Sequence, residues 1–231
     1  MKKRLLPVFD HLLSHHGPQR WWPGDTPFEV MVGAVLTQNT SWTNVEKAIA
    51  NLKSHRLLDP EAILSSPPAV LARHLKPVGY FNVKAQRLRN FCRWYLEQGG
   101  YRRLSRWTTT ALRRGLLSVN GVGRETADDI LLYAFQRDVF VIDAYTRRIF
   151  SRLGLVGGDE DYDTLRLHIE ENIKRERYSK GSAGEAGERR SRIRIYNEFH
   201  ALIVNHGKDF CRTRPRCGQC CLNSRCPSVA E

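Results

Sequence analysis

Between residues 81 and 96 the apolar side chains recur as Phe81, Ala85, Leu88, Phe91, Cys92, Tyr95 and Leu96. Steps of three and four of this kind line one face of a helix. Similar short helices fit residues 4–14, 28–38, 42–53, 59–65, 68–75, 109–117, 124–135, 144–153, 162–174 and 192–206, punctuated by Pro60, Pro67, Pro68, Pro77 and several glycines. The one strand-like run, Val139-Phe140-Val141-Ile142, fits a short strand or an extended connector equally. The chain is therefore predicted to be all-α, built from many short helices. Its 231 residues suffice for one large or two small domains with a real core. The small, polar stretch 177–190 is predicted to be an exposed loop.

The longest apolar run, Val30–Leu36, contains a glycine and falls far short of the ~20 residues of a membrane span. The basic start Met1-Lys2-Lys3-Arg4 leads into no long apolar stretch, so no secretory signal is expected. A cytoplasmic protein is expected, associated with the nucleoid if the cell is bacterial, with no membrane partner. The net charge of +13 favours a polyanion, above all nucleic acid, over mere solubility. Five of the six cysteines, Cys211, Cys217, Cys220, Cys221 and Cys226, lie in the last 21 residues. In a reducing compartment such a cluster reads as metal ligation rather than a disulfide framework.

Gly121-Val122-Gly123-Arg124 stands between two predicted helices. Two glycines there allow a tight turn with positive φ, and small side chains leave the backbone N–H groups of the next helix accessible to a phosphate oxygen. An ordinary helix–turn–helix corner is the plain alternative. Twenty residues after Gly123 comes Val141-Ile142-Asp143, where Asp143 begins a helix and reads as an N-cap or as a catalytic carboxylate.

Gly121-Val122-Gly123 with Val-Ile-Asp143 downstream, Gly33-Ala34-Val35-Leu36-Thr37-Gln38-Asn39-Thr40, Gly79-Tyr80-Phe81-Asn82-Val83-Lys84-Ala85, and a cysteine loop after His206-Gly207-Lys208 together resemble the helix-hairpin-helix DNA glycosylases related to endonuclease III. The resemblance covers nearly the whole chain. It implies the two-domain helix-hairpin-helix DNA glycosylase fold: a six-helix barrel over 28–137 with the hairpin, and a discontinuous domain of 1–27 and 138–231 with the cysteine loop. It also implies binding of double-stranded DNA containing a damaged base between the two, with the enzyme acting as a monomer.

A glycosylase flips its target base and breaks the C1′–N bond through an oxocarbenium-like state, which a carboxylate stabilises. The family's aspartate falls on Asp143, expected to stabilise that charge and to orient or deprotonate water. Bifunctional relatives carry a lysine directly after Gly-x-Gly-Arg, the imine-forming nucleophile. Here that residue is Glu125, so hydrolysis without a lyase step is expected, with Glu125 either shaping the pocket or merely a solvated first-turn glutamate.

Trp21-Trp22-Pro23 and Trp42 are either core aromatics or an aromatic slot for an extruded base. Such a slot suits a cationic alkylated purine, because indole is the strongest cation–π partner. With Gly-Val-Gly-Arg-Glu125 these residues resemble the 3-methyladenine DNA glycosylase branch. Ala34 stands where adenine-mismatch enzymes carry glutamate, which argues against that activity. Excision of mismatched uracil or thymine is the alternative substrate class, and a DNA-binding module without catalysis the alternative protein class. Gln38 matches the polar wedge that fills the gap left by the flipped base, with a plain helix-end polar residue as the alternative. Lys84 and Arg87 read as phosphate contacts or as a solvated helix face. His200 and His206 are expected to be structural.

Cys211-x5-Cys217-x2-Cys220-x5-Cys226 supplies four thiolates, the ligands of zinc or of an iron–sulfur cluster. The resemblance implies a [4Fe–4S] cluster, with zinc as the alternative, although the first gap is one residue shorter than the family's. Cys221 competes with Cys220 for the third position; Cys220 keeps the last two gaps. The cluster is expected to be structural. Arg212, Arg214 and Arg216 alternate along the loop as a phosphate-binding surface. Cys92, on an apolar helix face, reads as a buried small hydrophobe.

Overall fold

The structure is a computed structural model that describes residues 4–19, 21, 24–178 and 185–229. Trp22, Pro23 and residues 179–184 of the predicted loop over 177–190 lie outside the described residues. Every regular element among the described residues is helical. In chain order these are α1 (Leu6–His16), α2 (Pro27–Leu36), α3 (Trp42–Ser54), α4 (Pro60–Ser65), α5 (Pro68–His74) and α6 (Phe81–Glu97). There follow α7 (Gly100–Leu104), α8 (Thr109–Leu117), α9 (Arg124–Asp129), α10 (Ala144–Arg152), α11 (Tyr162–Tyr178) and α12 (Glu185–Asp209). No helix among the described residues is long and apolar enough to cross a membrane. The chain divides into two compact units, a discontinuous one of Met1–Trp21 with Asp138–Glu231 and a continuous one, Trp22–Arg137.

In the continuous unit, the apolar run of the sequence becomes α2. The Thr26 hydroxyl accepts the Glu29 N–H at 3.1 Å and Pro27 occupies the first turn, so the helix start is specified locally. Every residue from Val30 to Leu36 is buried. A helix apolar all round belongs in a core, and α2 packs on α3, α6, α9 and a π-helical turn, Ile130–Ala134, that follows α9. A side-chain methyl at Gly33 would stand 3.0 Å from Trp42 Cη2, so glycine lets that indole lie against α2. Helix α6 buries Ala85, Leu88, Phe91, Cys92 and Tyr95 of the predicted stripe, with Phe81 and Leu96 at its ends half-buried. Each large side chain on it contributes roughly 1.5–3 kcal/mol. Helix α7 was not expected; five residues burying only Leu104 are too few to show a period.

In the discontinuous unit, α12 packs on α1 and α10. Phe199 of α12 is the hub, with ring centroids 5.4 Å from Phe9, 5.7 Å from Phe150 and 6.0 Å from Phe140. Both ends of the predicted loop over 177–190 are helical instead, since α11 runs to Tyr178 and α12 begins at Glu185. Extending a helix already held by tertiary packing avoids the nucleation penalty that a local reading assumes. Val139–Ile142 is an extended connector. Its N–H groups are met by side chains, Phe140 by Glu170 Oε1 at 2.9 Å and Ile142 by Tyr162 Oη at 3.3 Å, rather than by a strand.

Candidate functional site

The hairpin between α8 and α9 is built by its two glycines in different ways. Gly121 has φ +99, and a Cβ there would stand 2.3 Å from Arg87 Cγ. Glycine is needed for conformation and for space. Arg87 lies across the turn and donates from Nη1 to Gln38 Oε1. The Gln38 amide in turn donates to Gly121 O at 2.9 Å and Thr126 Oγ1 at 3.1 Å. Gln38 thus joins the hairpin, through its amide NH2, to Arg87 of α6, through its amide oxygen. Gly123 departs from the expected positive φ: it is extended, with φ −88 and ψ 179, and caps α9. A Cβ on Gly123 would meet nothing within 4 Å. Open space beside a helix N-terminus is where an anion can approach the backbone. Val122 is buried and anchors the turn, whereas Arg124 and Glu125 are exposed. Helix α9 is pinned to α8 by a buried fork, with Arg113 Nε and Nη2 donating to Asp128 Oδ1 at 2.7 Å and Oδ2 at 3.1 Å. Sequence reading missed this pair, because neither residue differs in type from the many surface charges around it.

Lys84 takes neither of its expected places. It is 2 % exposed, and its ammonium donates to Leu36 O at 3.0 Å and Val78 O at 2.7 Å. The carbonyl end of α2 attracts a cation and has no intrahelical partners of its own. Burial, with the charge of Arg87 second, lowers the Lys84 pKa from its ordinary value. This lysine closes a helix end and is not available to a phosphate.

In the discontinuous unit Asp143 caps α10. Its Oδ1 accepts the Thr146 N–H at 2.6 Å, and its Oδ2 lies 3.7 Å from His200 Nε2 on α12. Burial alone would raise the carboxyl pKa. The His200 ring and the Thr146 N–H outweigh it and hold Asp143 below its ordinary value, ionised at neutral pH. Trp21 stacks on the other partner of this pair, its ring 5.8 Å from that of His200 with an interplanar angle of 15°. Trp21 and Trp42 are both half-buried rather than core residues. The approach of α10 to α12 depends on Gly207, where a Cβ would stand 2.4 Å from Tyr145 Cδ1. Arg148, stacked over Tyr145 at 5.0 Å, donates to Gly207 O at 3.2 Å. The N-cap and the catalytic readings of Asp143 are thus compatible in one carboxylate. His200, read from sequence as structural, is with Thr146 one of the two residues that lower its pKa.

The cysteine loop follows α12. The thiols of Cys211, Cys217, Cys220 and Cys226 line one cavity, together with Arg152 and Phe210; Cys221 is not among its walls. Burial raises the Cys220 pKa, and the neighbouring thiols of Cys211, Cys226 and Cys217 raise it further. Four thiols that line one cavity, three of them near enough to Cys220 to shift its pKa, are a soft donor set that fits a thiolate-bound metal group. Arginines of α10 tie the loop down: Arg148 Nε donates to Cys211 O at 2.7 Å, and Arg152 Nη1 to Arg212 O at 2.6 Å and to Cys211 Sγ at 3.4 Å. Buried Leu222 anchors the far side, while Arg212, Arg214 and Arg216 are exposed. His206 is fully buried, and burial with the charges of His16 and His15 pushes its pKa down to about 4.

Residues 32–175 match the family model of the HhH-GPD superfamily base excision DNA repair proteins. A Methanocaldococcus jannaschii protein named as a DNA repair glycosylase is 43% identical over 224 residues, 96% of this chain and 94% of its own. Endonuclease III of Haemophilus influenzae is 26% identical over 207 residues, 87% of this chain and 84% of its own. Among solved structures, the H. pylori 3-methyladenine DNA glycosylase bound to 1,N6-ethenoadenine superimposes with a TM-score of 0.75 at 28% identity, covering 89% of this chain and 98% of that one. With the hairpin, the capped aspartate and the cysteine loop in place, this chain belongs to the HhH-GPD superfamily of base excision DNA repair glycosylases.

Proposed function

We propose that this glycosylase hydrolyses the N-glycosidic bond of alkylated purines such as 3-methyladenine, without a lyase step. The observation that carries the reading is the half-buried Trp21 indole stacked on His200, which also lies against the ionised Asp143 carboxylate. An aromatic face beside a fixed anion suits a cationic base and the positive charge that develops on the sugar. An alkylated purine is already a good leaving group, so a strong general acid is not required. The low pKa of Asp143 makes it a weak base and weights its role toward electrostatic stabilisation over deprotonation of water. The likeness to the H. pylori 3-methyladenine enzyme supports the same substrate class. Trp22, Trp42 and Glu125 remain candidates for contact with the base.

Glu125 at the lysine position cannot form an imine. On the DNA side, the Gly121–Arg124 backbone is assigned to one phosphate and the exposed Arg212, Arg214 and Arg216 to others. The four thiols that share a cavity are assigned to a [4Fe–4S] cluster, which when bound would hold the loop rigid. The chain's own residues, Arg148 and Arg152, seat that loop on α10.

The test is release of free base from methylated duplex, run beside U·G and T·G duplexes, with borohydride trapping. Release of 3-methyladenine, loss of that release in Asp143→Asn with duplex binding retained, and no trapped adduct are expected. Release of uracil or thymine alone overturns the substrate, and a trapped adduct overturns the monofunctional mechanism.

A further inference from the structure

Cys221 is excluded from the four-thiol cavity but is not isolated. Its sulfur and one ring nitrogen each of His15 and His16, at the end of α1, all lie within 4.8 Å of one another. We propose that His15, His16 and Cys221 form a second metal site, for a divalent ion of the zinc class, separate from the cluster loop's own cavity.

Zinc takes imidazole nitrogen at 2.0–2.1 Å and thiolate at about 2.3 Å, so tetrahedral ligands stand about 3.5 Å apart. His15 is exposed and the other two are half-buried, and their ligand atoms already lie within 4.8 Å of one another. Two imidazoles and one thiolate are borderline donors that select zinc over hard cations, and water completes the fourth position. The surroundings orient His16 in the manner of an outer shell. His16 Nε2 lies 3.1 Å from His206 Nδ1, and His206 Nε2 lies 3.3 Å from Cys220 Sγ. With Nε2 of His16 held by His206, Nδ1 is the ring nitrogen left for a metal. Phe210 packs on the His15 and His206 rings, with centroids 5.4 Å and 5.3 Å away, and closes the apolar side. The site joins residues 15 and 16 of α1 to residue 221 of the loop. It is a second staple on the loop whose arginines face solvent, and it gives Cys221 a role that the four-thiol cavity does not. The inference does not depend on which base is excised.

The test is cobalt(II) titration of the purified protein, after its iron and zinc contents have been measured. Wild type is expected to bind one cobalt beyond the metal held by the four-cysteine cavity, with thiolate-to-cobalt charge-transfer absorption. His15→Ala and Cys221→Ser should each remove that band while iron content and visible cluster absorption stay at the wild-type level. His15 is exposed, so its variant keeps the test valid should Cys221→Ser fold poorly. A wild-type protein with no cobalt band, a band that survives both variants, or loss of iron in Cys221→Ser overturns the proposal; the last would make Cys221 a ligand of the cluster itself.

Discussion

The two hairpin glycines should separate folding from DNA binding. At Gly121 an alanine is forced into φ +99, and its methyl would stand 2.3 Å from Arg87 Cγ. The left-handed region costs about 1–3 kcal/mol for a residue with a side chain. Moving Arg87 also breaks its hydrogen bond to Gln38 Oε1, worth about 1 kcal/mol. Gly121→Ala should therefore destabilise by roughly 2–4 kcal/mol. At Gly123 the backbone is already one that any residue adopts, and the methyl meets nothing within 4 Å. The smaller unfolded-state entropy of alanine contributes about 0.4–1 kcal/mol, offset by the preference for glycine over alanine at an N-cap, which is of similar size. Gly123→Ala should be neutral in stability to within about 0.5 kcal/mol. If a phosphate sits on this helix end, however, the methyl displaces it, with loss of a charge-assisted hydrogen bond worth about 1.5–3 kcal/mol, or about 10–100-fold in affinity. Urea denaturation and fluorescence anisotropy on an undamaged duplex measure both quantities. Unchanged affinity in Gly123→Ala refutes the phosphate site; unchanged stability in Gly121→Ala refutes the account of the turn.

Three further outcomes are expected. Lys84→Met should lose about 2–3 kcal/mol of stability by stripping two buried carbonyls of a charged donor, yet leave the salt dependence of duplex binding unaltered; a slope smaller by about 0.9 in log–log form would restore Lys84 as a phosphate contact. Because His200 and Thr146 depress the Asp143 pKa, the carboxylate is ionised above that depressed value, and excision should fade only as pH falls below the ordinary carboxylate range. In His200→Gln the acid limb should move to higher pH, and an unmoved limb in base-release profiles would sever the link between His200 and Asp143. Burial pushes the Cys92 thiol up to about 12, so it should resist iodoacetamide in the native protein at pH 8 and react on unfolding; native labelling at Cys92, read by peptide mass, would contradict its place in the core.

Much of the fold was legible because helices declare themselves locally. The α6 periodicity and the apolar run of α2 are properties of neighbouring residues, and both form helices where expected. The run Val139–Ile142 was not decidable in that way. Its pattern fits a strand, and only the side chains of Glu170 and Tyr162, which occupy two of its N–H groups, remove that option. Lys84 shows the same limit for a charge. A lysine on a helix reads as solvated until the carbonyl end of α2 is seen to lie against it.

By itself the sequence determined the helical class, the family, and a soft four-thiol motif near the end of the chain, since each is written in the order and spacing of residue types. The tertiary structure alone showed that Cys220 rather than Cys221 lines the cavity of the other three thiols, that His200 lies against Asp143, and that a side chain at Gly121 would clash while Gly123 is open. Those outcomes depend on distances between residues far apart in the chain, and close packing sets such distances to within an ångström.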